Sequence, residues 1–161
     1  LAWARRVFEK RSFSIIAPTG IGKTAFGLLL ALYFAMKGKK SYLVFPTTPL
    51  VIQMCEKLSA FNNKINAVDS DRILCLHGSL KQSEKKAALE RLNNGSFSIL
   101  ITTSKFMISR SENLSSYNFD LIFIDDVDSV LRSKKSIDST LHVVGFSSEE
   151  IEIAMEAIKL K

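Results

Sequence analysis

Residues 12 to 24, Ser-Phe-Ser-Ile-Ile-Ala-Pro-Thr-Gly-Ile-Gly-Lys-Thr, decide how the chain is read. An apolar run stops there at a Gly-rich turn, and a longer apolar stretch resumes behind it. Ser12 to Ala17 has the β-branched and aromatic content of a buried strand, and Lys23 to Met36 has the length and Leu/Ala content of a buried helix. Between them, Pro18, Thr19, Gly20, Ile21 and Gly22 make a turn suited to pointing backbone N–H groups at a polyphosphate. Lys23 then reaches the outer phosphates, Thr24 offers its hydroxyl to a magnesium ion, and the helix start adds its positive dipole end. The strict phosphate-loop pattern places Gly six positions before the Lys, where this sequence has Ala17. A chance Gly-Lys-Thr in an ordinary turn is the bland alternative, and the flanking strand and helix weigh against it.

Working outward, Leu1 to Lys10 reads as a helix with Trp3, Val7 and Phe8 on one side. After Gly38 the run Ser41 to Phe45 is a second strand, and Pro46-Thr-Thr-Pro-Leu50 leads into a helix from Leu50 to Phe61. Asn62 to Asp71 reads as a loop, Arg72 to Leu76 as a strand, and Lys81 to Asn94 as a charged helix. Phe97 to Ile101 and Phe119 to Ile124 are further strands, the first running into Thr102-Thr103-Ser104 and the second into Asp125-Asp126-Val127-Asp128. Beyond Asp128 only helical patterns follow: Ser129 to Arg132, Ile137 to Val144, and Ser147 to Leu160 with acids in its first turn.

Strands that alternate with helices, and that are apolar throughout, describe a parallel α/β sheet covered on both faces. Right-handed crossovers place every strand-to-helix turn on one edge, where open sheets bind their ligands. That edge collects the phosphate loop, Pro46 to Leu50, His77 to Ser79, Thr102 to Ser104 and the Asp125 cluster. A carboxylate at a strand end facing a phosphate loop is where an ATPase holds magnesium. Asp125 fits that place, and Asp126 is positioned to orient or deprotonate the attacking water. Capping of the helix near Val127 is the plainer account of these acids, most of all for Asp128.

The 161 residues suffice for one domain with a real core, and a hydrophobic fraction of 47% beside 24% charged residues is globular. No run is apolar for the ~18 residues of a membrane span, and Arg5, Arg6, Glu9, Lys10 and Arg11 break any leader-like stretch, so a cytoplasmic protein is expected. The two cysteines, Cys55 and Cys75, lack CxxC spacing and a nearby His, and read as buried free thiols. A net charge of +6 favours polyanions, although the basic residues are scattered in short groups that read equally well as solvated faces.

On these residues the chain resembles superfamily 2 helicases. Ala17 to Thr24 looks like their motif I in its Ala-x-x-Gly-x-Gly-Lys-Thr form, Pro46 to Leu50 like motif Ia, Thr102 to Ser104 like motif Ib, and Asp125 to Asp128 like motif II with Asp126 in place of Glu. A closer resemblance, covering nearly the whole chain, is to the helicase-like module of the reverse gyrase family. It is carried by Trp3-Ala-Arg-Arg, Ala17 to Thr24, Gly38 to Thr47, Phe119 to Asp128, and Ile137 to Leu141 with Val144-Gly145. The Asp-Asp-Val-Asp form of motif II is usual there.

The resemblance implies a RecA-like fold, a single partial ATP-binding domain over 1–161, with the sheet core in 1–128 and a helical extension in 129–161. It implies ATP and Mg2+ as cofactors, with Lys23, Asp125 and Asp126 catalytic, residues 18–24 on the nucleotide, and Thr24 and Asp125 on the metal. Pro46, Thr47, Thr48, Thr102 and Thr103 would lie along a DNA backbone without reading its sequence. It further implies a second RecA-like domain with an arginine finger, and a topoisomerase domain, elsewhere in a parent chain that positively supercoils DNA. Another superfamily 2 domain, a small-molecule kinase, or a nucleotide-gated phosphate-loop interaction module are the alternatives. A kinase would need an Arg-rich lid, which the stretch after Ser129 lacks.

Overall fold

In the computed structural model, which describes residues 2–9, 12–15 and 22–159, four apolar runs form strands. They are β1 (Ser41–Phe45), β2 (Ile73–Leu76), β3 (Ile99–Thr103) and β4 (Leu121–Ile124). All pair in parallel, in the order β2-β3-β1-β4. The helices are α1 (Ala2–Phe8), α2 (Lys23–Met36), α3 (Thr48–Ile65), α4 (Gln82–Asn93), α5 (Ser104–Ser109), α6 (Ser111–Ser115), α7 (Val127–Val130), α8 (Lys134–Val144) and α9 (Ser148–Lys159).

Two cores explain why the strands are apolar throughout. Tyr42 and Val44 of β1 point to one face, with Leu100, Leu74 and Leu76, and are covered by Ala88 and Leu92 of α4, Met107 of α5, Leu114 of α6 and Val143 of α8. Leu43 and Phe45 point to the other, with Ile99 and Ile101, beneath Leu28, Ala31 and Leu32 of α2 and Val51, Met54 and Leu58 of α3. Every residue of β1 is buried, and of its two polar side chains the Ser41 hydroxyl has no hydrogen-bond partner among the described residues while that of Tyr42 has one. The Tyr42 hydroxyl lies 2.7 Å from the Thr102 hydroxyl on β3.

The RecA-like α/β expectation is met, and four local expectations change. Residues 12–15 lie outside the sheet, because they form no ladder with a neighbouring strand, and residues 16 and 17 of the expected strand fall outside the described residues. The segment from Asn62 is not all loop, since α3 continues to Ile65 and ends at Asn66 in the left-handed region. Asn62 is buried, and its amide group donates to Val68 O (2.8 Å) and accepts from Val68 N (3.1 Å), so its polarity ties down the turn that follows. Cys55 and Cys75 are not free thiols: they form a disulfide, because α3 lies across β2 and brings their Cα atoms to 6.4 Å. The fourth, Thr102, belongs to the site below.

Helix α2 sits unusually close to the sheet. A Cβ on Gly27 would stand 2.7 Å from the Phe123 ring of β4, so only glycine allows this approach. Gly27→Ala is expected to lower stability by about 1–2 kcal/mol, the overpacking cost less a gain in helix propensity, or roughly 2–8 °C in a thermal melt. An unchanged melting point would mean that Phe123 rotates away at no cost.

Candidate functional site

The register brings the chemistry to one edge. Phe45 pairs with Thr103, and Val44 with both Thr102 and Ile124, so the turns after β1, β3 and β4 leave the sheet side by side. Leu76 pairs with Thr102, which places His77 and Gly78 on the same edge. Gly22, at φ 91°, caps α2 in the left-handed conformation that a tight entry turn requires, and α2 then starts at Lys23. Pro18, Thr19, Gly20 and Ile21, the rest of the expected phosphate loop, lie outside the described residues.

Thr24 and Asp125 meet at this edge although they are far apart in sequence. The Thr24 hydroxyl donates to Asp125 Oδ2 at 3.5 Å, and the Asp125 amide continues the ladder by donating to Val44 O at 2.9 Å. Asp125 is half-buried, and burial pushes its carboxyl above the usual carboxylate range. The Lys23 ammonium opposes that shift, the Asp126 charge adds to it, and bonds from the Thr24 hydroxyl and the Asp126 amide oppose it again. One hydroxyl and one carboxylate, with no cluster of three or more His, Cys, Asp or Glu among the described residues, is a donor set suited to magnesium that keeps waters and shares phosphate oxygens.

Because the folded-state pKa of Asp125 is raised, its ionised form is better accommodated in the unfolded chain. Stability is therefore lost as pH rises from the ordinary carboxylate range through the folded pKa, and that loss persists at neutral pH. Asp125→Asn, without nucleotide or metal, is expected to melt above the parent chain at about pH 7 and together with it at about pH 3, where both side chains are neutral. Melting curves across that range would show a neutral-pH deficit in the variant if the carboxylate instead stabilises the fold.

Asp126 adopts φ 52°, ψ 61°, is exposed, and precedes α7 without capping it through its side chain. Its carbonyl oxygen instead accepts from Ser129 N (3.0 Å) and Val130 N (3.2 Å). Left-handed backbone is tolerated by Asp and Asn far better than by longer side chains, which is a local reason for Asp rather than Glu here. The plain capping account of Asp126 does not apply, because its exposed side chain makes no cap bond.

The threonines divide. Thr47 is exposed at the start of α3 and makes no cap bond, with Pro46 and Thr48 half-buried beside it. Thr103 is half-buried and accepts from Phe106 N at 3.2 Å, so it caps α5. Thr102 is 0% exposed, and its hydroxyl is shared between Tyr42 and the Thr103 carbonyl (3.1 Å), so it cannot touch a ligand from where it stands. Its place is structural, holding the end of β3 under the turn. Two contributors escaped the sequence reading. Gly27 sets the approach of α2 to β4, and a glycine within a Leu/Ala-rich helix was the available signal. Tyr42 fixes Thr102, and nothing in its strand marks it.

Known proteins resemble this chain in sequence and in fold. The DEAD/DEAH box helicase family matches residues 2–154. Reverse gyrase of Pyrococcus horikoshii is 52% identical over 160 residues, which are 99% of this chain and 10% of that protein. Reverse gyrase 1 of Aquifex aeolicus is 48% identical over 160 residues, 99% of this chain and 13% of that protein. Among solved structures, the UvsW helicase from bacteriophage T4 has the same fold, with a TM-score of 0.64 over 88% of this chain and 47% of that one at 20% identity. The chain thus spans about a tenth of the length of the curated relatives it matches.

Proposed function

The chain belongs to the DEAD/DEAH box helicase family, similar throughout to the reverse gyrases, and from this we propose that it is the ATP-binding half of a DNA-dependent ATPase. The observation that carries the reading is the meeting of Thr24 and Asp125 at the strand edge beside Lys23. Lys23 takes the outer phosphates of ATP, while the Thr24 hydroxyl and the Asp125 carboxylate hold magnesium, which when bound neutralises charge on the phosphate oxygens. Burial raises the proton affinity of Asp125, and the Lys23 ammonium helps to keep it ionised for that task. Asp126 orients the attacking water and accepts its proton, from a backbone turn that does not depend on its side chain.

Nucleic acid lies along the same edge, with Pro46, Thr47 and Thr48 offering a hydroxyl and helix-start amides to phosphates. Thr103 shapes the neighbouring turn, and Thr102 supports it from inside. No described helix is long and apolar enough to cross a membrane. In a longer chain of the reverse gyrase type, a second RecA-like half and a topoisomerase part would couple this site to positive supercoiling of DNA.

The test is calorimetry with ATP, with and without magnesium. Asp125→Asn is expected to weaken magnesium-dependent binding about tenfold and magnesium-free binding by less than about twofold. Asp126→Asn, which keeps a residue that tolerates positive φ, should leave binding intact and reduce turnover once the second half is supplied. Normal hydrolysis by both variants would remove the motif II assignment.

A further inference from the structure

Near the end of β3 the Thr102 hydroxyl is sealed from solvent and lies within reach of two oxygens, the Tyr42 hydroxyl at 2.7 Å and the Thr103 carbonyl at 3.1 Å. One arrangement of protons satisfies both contacts. A carbonyl oxygen can only accept, so the single Thr102 proton goes to Thr103, and the Tyr42 hydroxyl must donate to Thr102. Burial raises the proton affinity of the Tyr42 phenol, with the Thr102 bond opposing, so the donor at the head of this relay keeps its proton.

Packing holds the head of the relay. Tyr42 pairs with Leu100 in the β1–β3 ladder, two positions short of Thr102, so the two side chains share a face and the phenol reaches its partner along the diagonal. Its buried ring stacks on that of Phe119, with centroids 5.0 Å apart and planes at 27°. The tail of the relay stands at the strand edge. Thr103 is gripped there twice, at its carbonyl by Thr102 and at its side-chain oxygen by Phe106 N (3.2 Å), the cap of α5. In that cap the Thr103 oxygen accepts, so its own proton is left to donate to an acceptor such as a phosphate oxygen. Thr103 is half-buried where Thr102 is sealed, so of the two it is the one an outside ligand can meet.

We propose that Tyr42 is a positioning residue for nucleic acid: through Thr102 it fixes the Thr103 turn so that the Thr103 hydroxyl is aimed at a backbone phosphate. This rests on the reading of the edge as a nucleic-acid track, and it gives that track a β1 residue that touches no ligand, since Tyr42 is 0% exposed. Aiming the hydroxyl in advance reduces what is lost in ordering it when the phosphate arrives. Removing the phenol oxygen leaves the Thr102 hydroxyl an unpaired acceptor in a sealed site, a cost that a shift of the neighbouring turn relieves.

Fluorescence anisotropy with a labelled single-stranded oligonucleotide at low salt, beside thermal melts and ATP calorimetry, tests this. Tyr42→Phe keeps the stacked ring and should weaken DNA binding about threefold to tenfold, while ATP affinity stays within about twofold of the parent. Thr102→Val cuts the relay at its middle and should act in the same way, whereas Thr102→Ser, which keeps the hydroxyl, should retain most of the affinity. The double variant Tyr42→Phe/Thr102→Val separates positioning from plain stability. With both hydroxyls gone neither is left without its partner, so the melting point should recover toward that of the parent while DNA binding stays weak. Single variants that bind DNA as the parent does, or that lose ATP affinity in equal measure, would overturn the proposal, as would a double variant whose DNA binding recovers along with its stability. A parent chain without salt-sensitive DNA binding would remove the nucleic-acid reading itself, and the positioning role with it.

Discussion

Supplied with ATP, magnesium and single-stranded DNA, this chain alone is expected to hydrolyse at least roughly 10³-fold more slowly than the same chain with a second RecA-like half bearing an arginine. Phosphoryl transfer asks little covalent chemistry of the protein and much electrostatic stabilisation of the equatorial oxygens. The cation found to act on Asp125 is Lys23, at the start of α2, where in the proposed reading it would serve the ground-state phosphates. Asp125 and Asp126 on the other side of the site are both acids and cannot balance charge that develops on the phosphoryl group, which is the task of the arginine expected from the second half. DNA affinity should also be modest, because the proposed track around the exposed Thr47 would make few phosphate contacts and such binding is mostly electrostatic. Steady-state turnover with and without DNA, before and after addition of the second half, measures this directly. Strong DNA-stimulated hydrolysis by the chain alone would mean that a complete site exists within these residues.

Lys23→Ala should weaken binding of magnesium-ATP by about 100-fold, close to 3 kcal/mol, of the size lost when one partner of a desolvated charge pair is removed. Two effects combine. The outer phosphates lose a direct cation, and Asp125 loses the charge that most opposes its burial-driven shift, so less of it is ionised to hold the metal. The second effect carries a signature: part of the deficit should recover as pH rises, because a higher pH restores the ionised carboxylate. A titration calorimetry series at several pH values separates the two, and equal affinity of parent and variant at every pH would remove the phosphate-loop assignment.

The parts of this fold that were legible in the sequence are those where one residue's environment follows from its neighbours in the chain. Apolar strands such as Ser41–Phe45 announce burial on both faces, and the acids following β4 mark a candidate site because they stand at the carboxyl edge of a parallel sheet. What was not legible depends on register and on the depth of helix packing. That Thr102 is interior follows from Tyr42 standing beside it across the β1–β3 pair, a relation that exists only once Val44 is aligned with Thr102. Asn62 looks like a loop residue until its two bonds to Val68 are seen, and Gly27 looks incidental until α2 is set against Phe123. Asp126 read as a shortened Glu, yet its left-handed backbone makes the short side chain the favoured one.

The bond between Cys55 and Cys75 spans 20 positions and ties the middle of α3 to β2, the outermost strand beyond β3. Like β4 at the other end of the described sheet, β2 has a ladder neighbour on one side alone, and the disulfide is the covalent tie that its edge has to a helix. With it, the stretch from residue 55 to residue 75 is a closed covalent ring, so a backbone cut inside the ring leaves the molecule in one piece, and an unfolded chain still carries a loop that shortens its search for the α3–β2 contact. The redox state of this one pair thus decides whether α3 is tied to this edge of the sheet by a covalent bond or by packing alone.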